Sequence, residues 1–144
     1  MSNGRRIDEI HESPISQWSR STSQEISTIL HTRIQNLWHK NSIVYTIDVQ
    51  SFADGDGDGV GDFPGLSRKL DYLSGLNVNC IWLQPFFPSP RRDDGYDISD
   101  YYSVDPRYGT LGDFVEFSQA ANDRGIRVIA DFVVNHTAID HTWF

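Results

Sequence analysis

Residues 41–75 read NSIVYTIDVQSFADGDGDGVGDFPGLSRKLDYLSG, and the changes of texture along them decide the fold. Residues 41–52 are dense in β-branched and aromatic side chains and read as a largely buried strand. The next segment is too polar and too rich in glycine to continue as strand or to form helix. Pro64 then suits a first helical turn, Leu66, Leu70 and Leu73 fall on one face, and Gly75 is expected to supply a left-handed cap. Strand, loop and helix thus succeed one another within 35 residues.

The cycle repeats. Residues 78–84 (VNCIWLQ) form a continuous apolar run suited to a strand covered on both faces. Thr110 to Asp113 (TLGD) resembles a capping box, and Leu111, Phe114, Val115 and Phe117 mark the helix behind it, closed by Gly125. A third strand is expected over 126–134 (IRVIADFVV), running into Asn135 and His136. Strands alternating with amphipathic helices imply βαβ units, a parallel sheet and right-handed crossovers. Such sheets come as closed barrels or as open doubly wound sheets, and three strands alone do not choose between them.

Upstream, residues 1–22 are polar, without a sustained apolar period, and read as a mobile tail. In residues 23–38, Ile26, Ile29, Leu30, Ile34, Leu37 and Trp38 recur at helical spacing. They predict an amphipathic helix whose apolar face docks on the domain after it. Residues 39–144 then make that α/β domain.

With 12 Lys plus Arg against 20 Asp plus Glu, the 144-residue chain carries a net charge of -8. This argues against nucleic acid or an anionic membrane as partner, since both require basic patches. No apolar run approaches the length of a membrane span, and Arg5 and Arg6 lack the apolar segment of a secretory signal. The single cysteine, Cys80, lies in an apolar run as an inert buried thiol. A reducing, cytoplasmic setting is the expectation.

In both architectures the ligand lies at the carboxyl ends of the strands. There the sequence places the acidic loop after the first strand, the 26 residues 85–110 after the second, and NHTAIDHTWF after the third. The opposite ends carry only short links.

Asp54, Asp56, Asp58 and Asp62 crowd into one short loop, where their repulsion is relieved by a hard cation. D-x-D-x-D-G matches the start of an EF-hand, but the twelfth position is Gly65 and a strand precedes the loop. The remaining oxygen set is Asp54, Asp56, Asp58, the Val60 carbonyl and Asp62, which suffices for calcium with added water. A solvated acidic turn is the alternative.

The long loop sets Tyr96, Asp97, Asp100, Tyr101 and Tyr102 side by side, a mixture suited to stacking on sugar faces and bonding their hydroxyls, or to packing the loop down on the rim. Arg91 and Arg92 beside Asp93 and Asp94 are expected to form a locally salt-bridged turn. Asp131 and Asn135 share one face of the third strand, while His136 is a ligand donor or a loop anchor. There is no nucleophile elbow, Cys-His pair or phosphate-cradling glycine loop.

From about Leu37 to Phe144, DGDGDGVGDFPGL, IWLQPFFPSP, RRDDGYDISDYYSVDPRYGT and DFVVNHT occur in the order of the catalytic barrel of the α-amylase family, glycoside hydrolase family thirteen, which the chain resembles. The resemblance implies about three β/α units at the start of a (β/α)8 TIM barrel. It also implies an enzyme acting on α-glucosides such as maltose or trehalose. The wording is most similar to the branch that interconverts maltose and trehalose, with α-glucosidases nearby.

By the same resemblance, Asp54, Asp56, Asp58, Val60 and Asp62 hold structural Ca2+, and Asn135 serves a second calcium site. Tyr96 stacks under the glucose beside the scissile bond, Asp97 grips its hydroxyls, His136 bonds the same sugar, and Asp131 holds the strand end. A retaining glycosidase needs two carboxyl groups about 5 Å apart across the scissile bond. In this family they come from later strands, so the chain alone is expected to be inactive. A non-catalytic, calcium-dependent sugar-binding module is the reading from another class.

Overall fold

The computed structural model describes residues 24–30 and 37–144. The expected tail over 1–22, and residue 23 and residues 31–36 of the expected first helix, lie outside the described residues. The chain divides into two compact units, Met1–Asn41 and Ser42–Phe144. In the first, helix α1 covers residues 24–30, and Trp38–Asn41 form a 3-10 turn. Ile26, Ile29 and Leu30 of α1 are exposed.

The second unit is built on a three-stranded parallel sheet in the order β1 (Val44–Ile47), β2 (Cys80–Leu83), β3 (Arg127–Ala130). Val44 pairs with Cys80 and Cys80 with Arg127, and the register continues to Ile47, Leu83 and Ala130. Parallel neighbours cannot be joined by a tight turn, so each connection carries helix. Between β1 and β2 lie α2 (Val49–Phe52), α3 (Phe63–Arg68) and α4 (Leu70–Gly75), and between β2 and β3 lies α5 (Leu111–Asp123).

The strands are shorter than their apolar runs. After β1, the Asp48 carboxylate accepts the Gln50 amide at 3.2 Å, and this cap turns residues expected as strand into the single turn α2. Past β3 the Asp131 amide still reaches the Leu83 carbonyl at 2.8 Å. Pairing then stops because Pro85, two residues past β2, has no amide to offer. The helix expected from Pro64 onward is two segments separated at Lys69, the first capped by Asp62. Gly75 closes α4 as a helical residue, and the left-handed position falls on Asn77, with φ 60°. Gly125 takes its expected left-handed role, with φ 72°, and the Thr110–Asp113 capping box forms in both directions.

Ile47, Ile81 and Leu83 are fully buried under Leu66, Leu70, Leu73, Phe117 and Ala121 from the crossover helices. The other sheet face is open in part: Trp82, paired with Thr46 and Ile129, is 41% exposed, whereas Cys80 on the same face is buried. The expectation of a second strand covered on both faces therefore holds at Cys80, Ile81 and Leu83 and fails at Trp82. All the crossovers cover one side of the sheet, the arrangement of a barrel wall and not of a doubly wound sheet. At the carboxyl end an aromatic cluster closes the core, with Phe63 at 5.4 Å from both Phe86 and Phe114. Cys80 is buried, and that burial pushes its thiol up, so little of it is reactive thiolate. No described helix is long and apolar enough to cross a membrane.

Candidate functional site

Three segments project from the carboxyl ends of the strands. In the acidic loop, Asp54, Asp56 and Asp58 each offer a carboxylate oxygen within 4.8 Å of the others, all exposed. The backbone sets this convergence. Asp54 accepts the amides of Asp56 and Gly57 at 3.1 and 2.6 Å on one oxygen and that of Gly59 at 2.8 Å on the other. Asp56 accepts from Asp58, and Asp58 from Val60, in the same i to i+2 manner. Gly57 and Gly59 stand at φ 89° and 92°, where a Cβ would be strained. The amides of Gly57 and Gly59 hold the Asp54 carboxyl below the usual carboxylate range.

Asp62 is not brought into this cluster. It is buried, and its oxygens accept the Gly55 amide at 3.0 Å and the Gly65 amide at 2.6 Å as the cap of α3. The loop closes on the strand end through the Gly61 amide, which donates to the Gln50 carbonyl at 2.7 Å. Arg68 steadies its start by donating to the Gly55 carbonyl at 2.8 Å.

The long loop is tied down by its own hydroxyls. Tyr96 donates to Asp131 Oδ2 at 3.0 Å, so its ring stands against the end of the third strand. Burial, then this carboxylate neighbour, pushes the Tyr96 phenol up. Asp97 accepts the Ser89 hydroxyl at 2.6 Å on one oxygen and the Arg92 amide at 2.9 Å on the other. Burial pushes its carboxyl up, but the Ser89 hydroxyl and the Arg92 amide outweigh that and hold it low. Each carboxylate oxygen has a second lone pair, so acceptor capacity remains for a ligand hydroxyl.

The salt-bridged turn expected among residues 91–94 does not form. Arg91 Nη1 donates to the Tyr108 hydroxyl, and Arg92 faces Asp140 at 3.9 Å with both side chains well exposed. The backbone reverses there through Arg91 and Asp94 at positive φ, which turns the two guanidinium groups toward more distant partners.

On the third segment, the Asn135 side-chain amide lies 3.2 Å from His136 Nδ1. With that amide as donor, the neutral ring carries its proton on Nε2, as a donor available to a ligand oxygen. The single proton of the Tyr101 hydroxyl is shared between the carbonyls of Val133 and His136, at 2.8 and 2.9 Å, and the ring stacks on Trp143 at 5.8 Å. Tyr101, Tyr102, Phe132, His136 and Trp143 line a cleft of about 690 Å³. Its walls are mostly apolar with a few polar groups, which suits a small ligand; of the expected sugar-binding residues His136 lines it, whereas Tyr96 and Asp97 do not.

Several residues of this rim escape a reading of the sequence. Ser89, Gln50 and Tyr108 make their contacts across 8 and 58 residues, and no local spacing announces them. Asp105, by contrast, precedes Pro106 at a 3-10 turn that it caps, a turn signal present in the sequence.

Comparison with known proteins agrees with this geometry. The family described as alpha amylase, catalytic domain, matches residues 45–144. A trehalose synthase from Thermus thermophilus is 56% identical over 108 residues, covering 75% of this chain and 11% of that protein. The crystal structure of Bacillus licheniformis trehalose-6-phosphate hydrolase (TreA) superimposes with a TM-score of 0.73 at 52% identity, over 74% of this chain and 19% of that one. A MutB mutant crystallised with its substrate sucrose superimposes with a TM-score of 0.72 at 47% identity, over 74% and 19%. The chain therefore spans between a tenth and a fifth of the length of these relatives. With a matched domain over most of its length, and three β/α-barrel strands bearing a sugar-suited rim, the chain belongs to the alpha-amylase family of glucosidases and transglucosylases.

Proposed function

We propose that this chain forms the first part of the sugar-binding rim of a retaining enzyme that isomerises maltose to trehalose by intramolecular transglucosylation. The observation that carries this reading is the bond from Tyr96 to Asp131, which ties the ring to the strand end leading to His136. Tyr96 stacks under the glucose, Asp97 accepts from its hydroxyls, and the Nε2 proton of His136 is donated to the same sugar. The high identity to a trehalose synthase supports isomerisation. Hydrolysis of an α-glucoside is the second reading, supported by the similarity to TreA.

The acidic loop fits a structural Ca2+ by the chemistry of its donors: three carboxylates converge in hard oxygens, on a backbone already turned for them. Asp54, Asp56, Asp58, the Val60 carbonyl and Asp62 are proposed to hold the ion, of which the first three already converge. Bound there, calcium supplies charge neutralisation and rigidity. Asn135 is proposed for a second calcium site. A buried free thiol suits a reducing, cytoplasmic setting.

Glycosyl transfer with retention requires a nucleophilic carboxylate and an acid about 5 Å apart. Asp97 and Asp131, the carboxylates nearest the proposed sugar, are held by Ser89, Arg92 and Tyr96, so the chain alone is proposed to be inactive. Incubation with maltose, followed by trehalose and glucose release, tests this, and turnover by the isolated chain would overturn it. In a longer protein carrying this segment, trehalose in excess of glucose supports isomerisation, while glucose alone supports hydrolysis.

A further inference from the structure

The turn that presents Asp97 is braced by residues that sugar contact itself does not require. Asp97 is held by the Ser89 hydroxyl and the Arg92 amide, and Ser89 Oγ in turn accepts the Arg91 amide at 2.9 Å. Both amides reach their acceptors because Arg91 stands at φ 57°, a left-handed conformation that a long side chain rarely adopts. Such a residue persists only where its surroundings over-determine it.

The surroundings here are specific. Arg91 Nη1 donates to the hydroxyl of Tyr108, a ring only 1% exposed, and that hydroxyl donates on to Gln50 Oε1 at 3.3 Å. Gln50 belongs to α2, directly after β1, and its carbonyl also receives the Gly61 amide. Gly95 completes the turn at φ 99°, where a Cβ would be strained and would press on the Pro85 carbonyl at 3.3 Å. The bridge therefore runs from the first strand end, through a buried phenol, to the strained residue that orients the Asp97 clamp.

We infer that Arg91 and Tyr108 are positioning residues for Asp97, fixing the left-handed turn that aims its carboxylate at the sugar. The sugar in this statement rests on the proposed function, whereas the brace rests on the contacts alone. Tyr108→Phe removes the hydroxyl and keeps the buried ring. Arg91→Leu removes the donor, and Arg91→Lys keeps a donor of similar reach.

The test uses the 144-residue chain, with NMR titration of the Asp97 carboxyl, exchange of the Arg92 amide, and urea unfolding as a measure of global stability. Tyr108→Phe and Arg91→Leu are expected to speed Arg92 exchange by about tenfold and to raise the Asp97 titration. Arg91→Lys should recover most of both. Asp71→Asn, which breaks the distant pair with Arg124, should move neither. The brace is overturned if the first two variants leave exchange and titration at parental values, or if Asp71→Asn shifts them equally. Maltose affinity of Asp97→Asn separates the two layers. An unchanged affinity overturns the sugar role of Asp97, and with it the proposed function, while a shifted titration in Tyr108→Phe still upholds the brace.

Discussion

The acidic loop and the long rim loop both carry crowded carboxylates at strand ends with partners of short reach, Asp97 from Ser89 and Arg92 and Asp100 from Tyr102 and Ser103 on the rim, yet the two loops are anchored in opposite ways. In the acidic loop Asp54, Asp56 and Asp58 are satisfied by amides two to five residues away. In the rim loop Tyr96 reaches Asp131 and Tyr108 reaches Gln50, across 35 and 58 residues. The first arrangement is written into the spacing of aspartate and glycine. The second exists only when the sheet has brought its strand ends together. A local cluster of this kind gathers charge for a hard cation, whereas the long-range bonds hold aromatic and acidic groups at fixed separation for a larger ligand.

The contrast can be broken most severely where the acidic loop leans on the rest of the domain. A Cβ on Gly61 would lie 2.0 Å from the Val49 carbonyl oxygen and 2.9 Å from that of Gln50. Since both neighbours are backbone, Gly61→Ala is expected to cost about 3 kcal/mol or more, read as a lowered urea midpoint. The cation prediction comes next. Calcium at a hundredfold excess over its Kd should stabilise the chain by about 2.7 kcal/mol, seen as a rise in Tm. Asp56→Ala combined with Asp58→Ala should abolish that rise, and a double variant that still responds to calcium as the parent does refutes the site.

Asp62→Ala removes the cap of α3 and leaves the Gly55 and Gly65 amides without their acceptor, at a cost of roughly 2 kcal/mol. Asp62→Asn should recover part of this without calcium, because the amide oxygen still accepts. On the rim, Tyr96→Phe removes a single bond to Asp131 and should cost about 1 kcal/mol in urea unfolding, with the ring still in place.

The smallest effect concerns pH. The Asp54 carboxyl is held low in the folded chain by the amides of Gly57 and Gly59, so its contribution is present above its unfolded value and lost as pH falls through the folded one. Asp54→Asn should therefore flatten the acid limb of the stability curve below about pH 4, measured by thermal melts in the absence of calcium. An unchanged acid limb would mean that the loop amides do not hold this carboxylate.

Much of the fold is legible in the sequence because its signals are local. The capping box at Thr110, the left-handed Gly125 and the apolar periods that mark strand and helix in alternation all rest on residues a few positions apart. The failures share a cause as well. The β-branched run predicts a first strand that continues through Asp48, but one carboxylate capturing the Gln50 amide is enough to start a helical turn. Adjacency predicts a salt-bridged turn at residues 91–94. Positive φ at Arg91 instead sends its guanidinium to Tyr108, and no spacing rule anticipates a partner 17 residues away.

By itself the sequence determined the order of strands and helices, the side of the sheet on which polar loops collect, and the convergence of Asp54, Asp56 and Asp58. These properties rest on periodicity, glycine placement and hydrogen bonds of short reach. Only the tertiary structure decided that one sheet face is open at Trp82 and that Tyr96 and Tyr108 are locked through Asp131 and Gln50. Those contacts join residues whose separation along the chain is unrelated to their separation in space, so packing, and not pattern, sets them.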